Sequence, residues 1–305
     1  MSPTAKQAVY GVPPLNLAKA PARAAQCSPL VPGTKGLEDA PDGSLQRVVV
    51  AAPPGVLERR FVLAQALRAL APGGELVAMA PKTKGGARLR KELEAFGCSV
   101  VETSKQHQRI CACIRPETPL GLEAAIAAGG PQQLPALGLW SQPGLFSWDR
   151  PDPGSALLVP HLGDLVGAGA DLGCGPGALA LAALASAKVS ALTLIDIDRR
   201  AIAAARRNIE DPRAAFLQAD LRDPEAPLSG LDFVIMNPPF HLGAAEDRSL
   251  GQVFIARAGA MLRKGGVCRM VANVGLPYEA VLKQSFARVS ALGQGHGYKL
   301  FQAIR

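Results

Sequence analysis

The chain has 305 residues, of which 48% are hydrophobic and 19% are charged, a composition that fits a soluble globular protein with two domains. No apolar run approaches the ~20 residues of a membrane span, and the N-terminus lacks the apolar segment of a secretory signal, so neither a membrane protein nor a secreted one is expected. Six cysteines without a Cys-x-x-Cys pair predict a reduced, cytoplasmic protein whose thiols are buried rather than bound to a metal.

The net charge of +8 is concentrated in the first half of the chain. Residues 1–150 hold 17 Lys+Arg against 11 Asp+Glu (+6), whereas residues 151–305 hold 16 against 14 (+2). A basic first half suits an anionic partner such as RNA, although ordinary solubility charge also accounts for a value of this size. The candidate contacts with an RNA backbone are Lys82, Lys84, Arg88, Arg90 and Lys91. For each of them, a solvated helix face is the alternative.

The first half divides into three segments. Residues 1–43 contain many prolines and no sustained periodicity, which predicts an N-terminal arm that wraps a domain or stays mobile. Residues 44–118 carry a compact α/β pattern without a glycine-rich phosphate loop. Within it, strands are expected at 47–52 and 75–80, helices at 57–70 and 87–96, and two more strands over 100–115. Residues 119–139 are interpreted as a linker.

The order of elements in 44–118 recurs near the C-terminus, which we interpret as an internal duplication rather than a chance likeness of two α/β halves. Three pairs of stretches line up: 49–54 with 234–239, 69–74 with 260–266 after a gap, and 111–115 with 301–305. In this alignment Ala52 stands where the second copy has Asn237, and Gly55 stands where it has Phe240. Since alanine offers no side-chain acceptor, the first copy is expected to have kept the scaffold and lost the chemistry, which leaves it a role in binding or support.

Residues 140–305 form the second predicted domain, and its first motif is a glycine loop. Asp171-Leu-Gly-Cys-Gly-Pro-Gly177 stands between a predicted strand and an Ala/Leu helix, where glycines allow a sharp turn and close approach of a ligand. The same glycines satisfy a dinucleotide fingerprint and do not select a cofactor alone. A carboxylate at Asp171 would repel a pyrophosphate but attract an ammonium or sulfonium group. Asp196 follows Gly177 by nineteen residues, the spacing at which an acidic side chain accepts from ribose hydroxyls.

The second motif closes a buried strand that ends at Met236. Pro238 and Pro239 cannot continue a sheet, so Asn237 is held at the carboxyl edge, where ligands bind in open α/β sheets. An exocyclic base amine is a poor nucleophile and must be oriented. The Asn237 side-chain oxygen and the Pro238 carbonyl could accept its two hydrogens, and Phe240 could stack on the base. The alternative is an ordinary Asn-Pro-Pro loop signal after a strand.

With Asp171-x-Gly-x-Gly-x-Gly177, Asp196, Asp220 and Asn237-Pro-Pro-Phe240 in this order, the chain resembles the class I S-adenosylmethionine-dependent methyltransferases. More narrowly, it resembles the two-domain small-subunit rRNA guanine-N2 methyltransferases, in which a duplicated N-terminal domain has lost the cofactor site and helps to hold RNA. The resemblance implies an α/β fold in which a Rossmann-like, seven-stranded methyltransferase domain follows a smaller, degenerate copy of itself.

The resemblance also implies roles for individual residues, with S-adenosyl-L-methionine as cofactor, small-subunit rRNA as partner and no metal. The implied cofactor-binding residues are Asp171, Gly173, Gly175 and Gly177 at the methionine end, Asp196 and Ile197 at the ribose and adenine, Asp220 and Leu221 beside the adenine, and Asn237. The implied catalytic residues are Asn237, Pro238, Pro239 and Phe240. His241 is expected to be structural.

Three other functions are weighed against this one. Methyltransferases acting on adenine N6 or on a glutamine amide share the Asn-Pro-Pro loop, but Phe240 in place of tyrosine and the degenerate first half favour guanine. A non-catalytic RNA-binding or ribosome-assembly factor would not need to retain Asp171, Asp196 and Asn237. A nicotinamide-dependent oxidoreductase leaves the Asn-Pro-Pro-Phe stretch unexplained.

Overall fold

The computed structural model describes residues 6–18, 23–223, 228–239, 241–242, 245–246 and 248–305. The chain divides into two compact units, Met1–Pro131 with Gln142–Gly144 and Gln132–Ser141 with Leu145–Arg305. Within the described ranges, no helix combines the length and the apolar character that crossing a membrane requires. All six cysteines are buried free thiols.

The first unit is built on a six-stranded sheet with the spatial order β2-β1-β3-β4-β6-β5. Its strands are β1 (Gln7–Tyr10), β2 (Ala25–Gln26), β3 (Leu45–Ala51), β4 (Leu70–Pro81), β5 (Val100–Lys105) and β6 (Gln108–Ile114). Its helices are α1 (Leu15–Ala18), α2 (Val56–Ala69), α3 (Ala87–Glu94) and α4 (Leu122–Gly129). Strands β1 to β4 run parallel, and β6 runs antiparallel to both of its neighbours. Residues 48–50 of β3 are fully buried, as expected for a strand covered on both faces.

Two segments that we interpreted as an arm and a linker contribute to this unit. Strands β1 and β2 lie within 1–43, and β1 pairs with β3 from Gln7 opposite Arg47 to Tyr10 opposite Val50. Helix α4 lies within 119–139 and packs on α2, where a Cβ at Gly129 would lie 2.4 Å from the Cβ of Phe61. The first copy therefore contains a strand beside β3 that the sequence pattern did not reveal.

The second unit is built on a seven-stranded sheet with the order β11-β10-β9-β12-β15-β17-β16. Its strands are β9 (Gly167–Leu172), β10 (Val189–Asp196), β11 (Ala214–Gln218), β12 (Leu231–Met236), β15 (Leu262–Asn273), β16 (Arg288–Gly295) and β17 (Tyr298–Ile304), and the hairpins β7 (Gln132–Leu134) with β8 (Leu139–Ser141) and β13 (His241–Leu242) with β14 (Ala245–Glu246) lie outside the sheet. Its helices are α5 (Pro153–Leu158), α6 (Ala178–Leu184), α7 (Arg199–Asn208), α8 (Arg248–Met261) and α9 (Glu279–Ser285). Within the seven-stranded sheet, β17 runs antiparallel to β15 and β16, and the other neighbouring strands pair in parallel. The predicted fold class, a Rossmann-like seven-stranded domain preceded by a smaller α/β copy, is confirmed.

The two sheets share one strand order, because β2-β1-β3-β4-β6-β5 corresponds to β10-β9-β12-β15-β17-β16. Their registers correct the alignment of the two copies by one residue. Leu45 pairs with Leu70 at the start of β3, and Leu231 pairs with Leu262 at the start of β12. Counting along each strand from these pairs places Ala51, rather than Ala52, at the position of Asn237. The prolines misled the alignment, since the side chains of a strand alternate between faces and only the pairing fixes which face each residue takes.

In the same alignment of the two copies, Arg59 of α2 corresponds to Gly251 of α8, since each is the fourth residue of a fourteen-residue helix. Arg59 is fully buried, and a Cβ at Gly85, in the turn before α3, would lie 2.3 Å from its Nη1. In the second unit the sizes are reversed. A Cβ at Gly251 would lie 1.9 Å from the hydroxyl oxygen of Tyr278, in the turn before α9. In the first unit the helix residue Arg59 therefore fills the space between the helix and the turn, and in the second unit the turn residue Tyr278 fills the corresponding space.

Candidate active site

The carboxyl ends of β9 and β12 lie side by side at the centre of the second sheet. From β9 the chain crosses through α6 to β10, and from β12 it crosses through α8 to β15 on the other side. Loops that leave in opposite directions open a crevice at this edge, which is where ligands bind in open α/β sheets. The register brings Asp171 opposite Ile235 on one side and Leu194 on the other.

The glycine loop after β9 depends on its glycines. Gly173, Gly175 and Gly177 have positive φ angles of 71°, 53° and 94°, a region that L side chains rarely adopt. A Cβ at Gly173 would lie 3.1 Å from the ring of Phe254 and 3.9 Å from Cδ of Pro239. The glycine loop and the Pro-Pro loop are therefore neighbours. At Gly175 a Cβ would meet nothing within 4 Å, so the loop faces open space there.

Asp171 is a buried carboxylate without a partner. The residue is 1% exposed, and neither carboxylate oxygen has a hydrogen-bond partner within the described residues. Burial raises the pKa of Asp171 to about 8, and the nearby carboxylate of Asp196 adds to the rise. The backbone N–H of Ala180 lies near the carboxylate without meeting hydrogen-bond geometry, and it offsets part of the rise in pKa. An unpaired buried carboxylate is costly, and a cationic group bound beside it would remove that cost.

Asp196 ends β10 and supports the glycine loop. Its Oδ2 accepts from the backbone N–H of Gly175 at 2.9 Å, and its Oδ1 accepts from that of Asp198 at 2.9 Å. Burial raises the pKa of Asp196 to about 6, and the two backbone N–H groups offset part of the rise. Two hydrogen bonds leave a carboxylate with further lone pairs for a ligand hydroxyl.

The remaining residues of the predicted adenine end lie along the same edge. Ile197 follows β10 directly, and its carbonyl accepts from the side-chain amide of Gln218, the last residue of β11. Asp220 pairs with Arg222 at 2.7 Å, and this bonding lowers the pKa of Asp220. Leu221 is buried in the core beneath. The carboxylate of Asp220 is therefore already engaged by a charged partner, the guanidinium of Arg222.

Asn237 follows β12 directly, and its side chain is held by the N-cap of α5 and by a residue in the first turn of this helix. Its Nδ2 donates to Oδ2 of Asp152 at 2.8 Å and to Oγ of Ser155 at 3.0 Å. Asp152 is the N-cap of α5, where it also accepts from the backbone N–H of Ser155 at 2.7 Å. The amide oxygen of Asn237 has no donor in the described part of the chain, and the same holds for the carbonyl of Pro238. Two acceptors are therefore available side by side.

Pro238 is buried and Pro239 is half-buried. Phe240 lies outside the described residues, as does the side chain of His241. The predicted stacking of Phe240 on a base stays a prediction.

Sequence reasoning did not identify three residues that support the site. Asp152 and Ser155 hold Asn237, and the Asp-Pro pair at the start of an apolar helix was a signal of an N-cap. Asn208, the last residue of α7, donates from Nδ2 to the carbonyl of Pro176 in the glycine loop at 2.9 Å and to that of Trp140 at 3.0 Å. No sequence signal pointed to Asn208, because its partners depend on how the β7–β8 hairpin folds back.

Comparisons with known proteins identify the family of the chain. The model of the methyltransferase small domain family matches residues 136–302. The ribosomal RNA small subunit methyltransferase C of Pseudomonas paraeruginosa is 33% identical over 273 residues, covering 87% of this chain and 81% of the relative. The protein of the same name from Pseudomonas entomophila is 31% identical, covering 83% and 77%. The T. thermophilus 16S rRNA N2 G1207 methyltransferase (RsmC), solved in complex with AdoMet and guanosine, superposes over 100% of this chain and 89% of its own with a TM-score of 0.79 at 24% identity, which bears on the fold.

Proposed function

The chain belongs to the methyltransferase small domain family, as its motifs predicted, and from this premise we propose that it methylates the exocyclic N2 amine of a guanine in small-subunit rRNA. The methyl donor is S-adenosyl-L-methionine. The observation that carries the proposal is a pair of unoccupied acceptors, the Asn237 amide oxygen and the Pro238 carbonyl, at the strand end beside the glycine loop.

The residues present fit this donor. Its ammonium and sulfonium groups suit the unpaired carboxylate of Asp171, which no described residue neutralises. Gly173, Gly175 and Gly177 allow the main chain to approach the methionine end, and Asp196 retains lone pairs for ribose hydroxyls. Ile197, Asp220 and Leu221 would line the adenine. When bound, the donor supplies an electrophilic methyl group on a positively charged sulfur.

The protein's own contribution to the reaction is to orient the substrate amine. The lone pair of an aromatic amine is delocalised into the ring, so the nitrogen reacts only if it is held at the correct distance and angle. The oxygens of Asn237 and Pro238 would each accept one amine hydrogen. Both acceptors would stabilise the positive charge that develops on the nitrogen as the new bond forms. Pro239 stiffens the loop, Phe240 would cover the base, and the surplus proton can leave to water.

The first unit is proposed to bind RNA without a cofactor site of its own. Lys82, Arg88 and Lys91 are exposed and Lys84 is half-buried, whereas Arg90 bonds Glu94 of the same helix at 2.8 Å. Lys82, Lys84, Arg88 and Lys91 lie in the turn before α3 and in the first part of this helix, and none has an acidic partner among the described residues. Four such cations suit contacts with phosphates. With its free thiols and its rRNA substrate, the protein is proposed to act in the cytoplasm.

The test is to incubate unmodified 16S rRNA and assembled small subunits with tritiated S-adenosylmethionine and to digest the product to nucleosides. We expect N2-methylguanosine as the labelled product, and labelling at least ~100-fold slower with Asn237→Ala. Labelled N6-methyladenosine would show that the substrate base is adenine rather than guanine. Label in a protein glutamine would show that the substrate is a protein rather than RNA. RNA binding without any cofactor binding in calorimetry would support an assembly factor instead.

A further inference from the structure

Both hydrogens of the Asn237 amide are bound on one side of the site. One bonds the carboxylate of Asp152 at 2.8 Å and the other bonds the hydroxyl of Ser155 at 3.0 Å. A primary amide has two donor hydrogens and one acceptor oxygen, so only Oδ1 remains for a ligand. The opposite amide orientation would place Oδ1 beside the Asp152 carboxylate and lose the charge-assisted bond, leaving only a bond from the Ser155 hydroxyl to Oδ1.

Asp152 is itself held in place by the start of α5. The oxygen that receives Asn237 also caps the helix at the N–H of Ser155, and Pro153 occupies the first helical position. Asp at the N-cap and Pro at the first position both favour a fixed helix start. Gly154 packs under β17, since a Cβ there would lie 2.8 Å from the ring of Tyr298. The carboxylate therefore sits on a rigid element rather than on a free loop.

We propose that Asp152 and Ser155 are positioning residues that keep Oδ1 of Asn237 aimed at the substrate amine and make it a stronger acceptor. The proposal rests on the proposed function for the identity of that amine. A negative charge bonded to the amide N–H polarises the amide and raises the electron density on its oxygen. A stronger acceptor matters most when the amine nitrogen becomes positive during bond formation, so the effect should appear in kcat rather than in substrate binding.

Two substitutions at position 152 separate the cap from the contact. Asp152→Ser retains a good N-cap but is too short to reach Asn237, and Asp152→Asn retains cap and shape but removes the charge. We expect kcat to fall about 10-fold to 100-fold for Asp152→Ser, less for Asp152→Asn, with the Kd of S-adenosylmethionine and the KM of RNA unchanged. Ser155→Ala should lower kcat by a smaller factor.

A double-mutant cycle tests whether Asp152 acts through Asn237. In the Asn237→Ala background, measured by single turnover with excess enzyme, Asp152→Ser should cause no further loss. Losses that multiply fully, or an unchanged kcat for Asp152→Ser alone, would overturn the proposal. Asp211→Ser is the control, because Asp211 also accepts from a backbone N–H, that of Arg213, at a position outside the site. It should leave kcat unchanged.

A readout that does not need activity separates this proposal from the proposed function. In ¹⁵N NMR, the side-chain NH2 of Asn237 should exchange slowly with water in the wild type and rapidly in Asp152→Ser. Rapid exchange in the wild type would refute the positioning role whatever the substrate is. Slow exchange in a protein that methylates no guanine would refute the proposed function and leave the orientation of the amide intact.

Discussion

The two copies of the fold end their corresponding strands in opposite ways. After β12, Asn237 leaves its amide oxygen open, and the adjacent strand carries the unpaired carboxylate of Asp171. In the first copy, the register places Ala51 at the position that corresponds to Asn237 and Val9 of β1 at the position that corresponds to Asp171. Both copies keep the strand order, so the sheet itself does not require the polar residues. The comparison teaches that Asp171 and Asn237 are not needed to form the sheet, which fits the binding roles proposed for them.

The first copy closes its strand end with a buried arginine. Arg59 bonds Glu92 through two contacts of 2.7 Å and donates to the carbonyls of Pro53 at 3.1 Å and Pro54 at 2.7 Å. Backbone carbonyls that follow β3 are thus satisfied within the first copy, whereas the carbonyl of Pro238 after β12 has no donor among the described residues. The predictions that follow would break or sharpen this contrast.

The largest effect is expected on stability, from Arg59→Met. Leaving Glu92 buried without its partner should cost about 3–5 kcal/mol, and the double variant with Glu92→Leu should recover most of it. Because both tryptophans, Trp140 and Trp148, lie in the second unit, fluorescence follows that unit and circular dichroism follows both. The loss should therefore appear in circular dichroism during urea unfolding. An early fluorescence transition would contradict the assignment to the first unit.

Asn237→Ala should lower kcat about 100-fold to 1000-fold, the loss typical of removing one preorganised polar group from a reaction centre. Binding of S-adenosylmethionine, measured by calorimetry, should remain within a factor of about two. Ala51→Asn places the same amide at the corresponding position of the first copy and should leave kcat unchanged. A rate change from Ala51→Asn would give the first copy a part in catalysis.

Asp171→Asn should weaken S-adenosylmethionine binding about 10-fold to 100-fold, from the ~1.5–3 kcal/mol of a hydrogen bond to a charged group. With a pKa near 8, Asp171 holds a proton at neutral pH and must release it to face an ammonium. Wild-type affinity should therefore rise about tenfold per pH unit up to pH 8, with proton release detectable in buffers of different ionisation enthalpy. The variant should lose this dependence, and a flat wild-type profile would contradict it.

The same pKa predicts the sign of a stability change. A carboxyl group whose pKa is higher in the folded state stabilises at low pH, and this contribution is lost as the pH rises through about 8. The unliganded Asp171→Asn variant should therefore gain thermal stability over the wild type at pH 8 and much less at pH 5. Differential scanning calorimetry at the two pH values tests this. Equal gains in melting temperature at pH 5 and pH 8 would show that Asp171 of the folded wild type is ionised at both pH values.

The smallest effect is expected at the basic surface. Lys91→Ala should reduce the slope of log affinity for rRNA against log salt by about 0.7–0.9, the value for one phosphate contact. Arg90→Ala removes a cation next to it that is already paired with Glu94, and should change the slope less. Equal effects would favour a solvated helix face over a specific contact.

Much of the second unit could be predicted because its signals are local. A buried strand that ends in Asn-Pro-Pro, and a strand that runs into three glycines, both locate polar residues at the carboxyl edge of a parallel sheet. What could not be predicted depends on distant pairing. Strand β1 has four residues and is identified only by its partner β3, and the partners of Asn237 lie 85 and 82 residues earlier in the chain.

The one-residue error in aligning the copies has the same origin. Pro53 and Pro54 resemble Pro238 and Pro239 in sequence, but the pairing of β3 with β4 decides which residue faces the crevice. A local motif indicates that a strand ends, and the sheet determines where its side chains point.

The exchange of size between α2 and its counterpart α8 constrains how the two copies can evolve. An arginine introduced at Gly251 would collide with Tyr278, and a glycine introduced at Arg59 would leave a hole beneath Gly85. Neither half can adopt the other's solution through a single substitution, because one change alone leaves a clash in α8 or a hole beside α2. We expect the large and the small residue of each copy to be interchangeable only when both are replaced together.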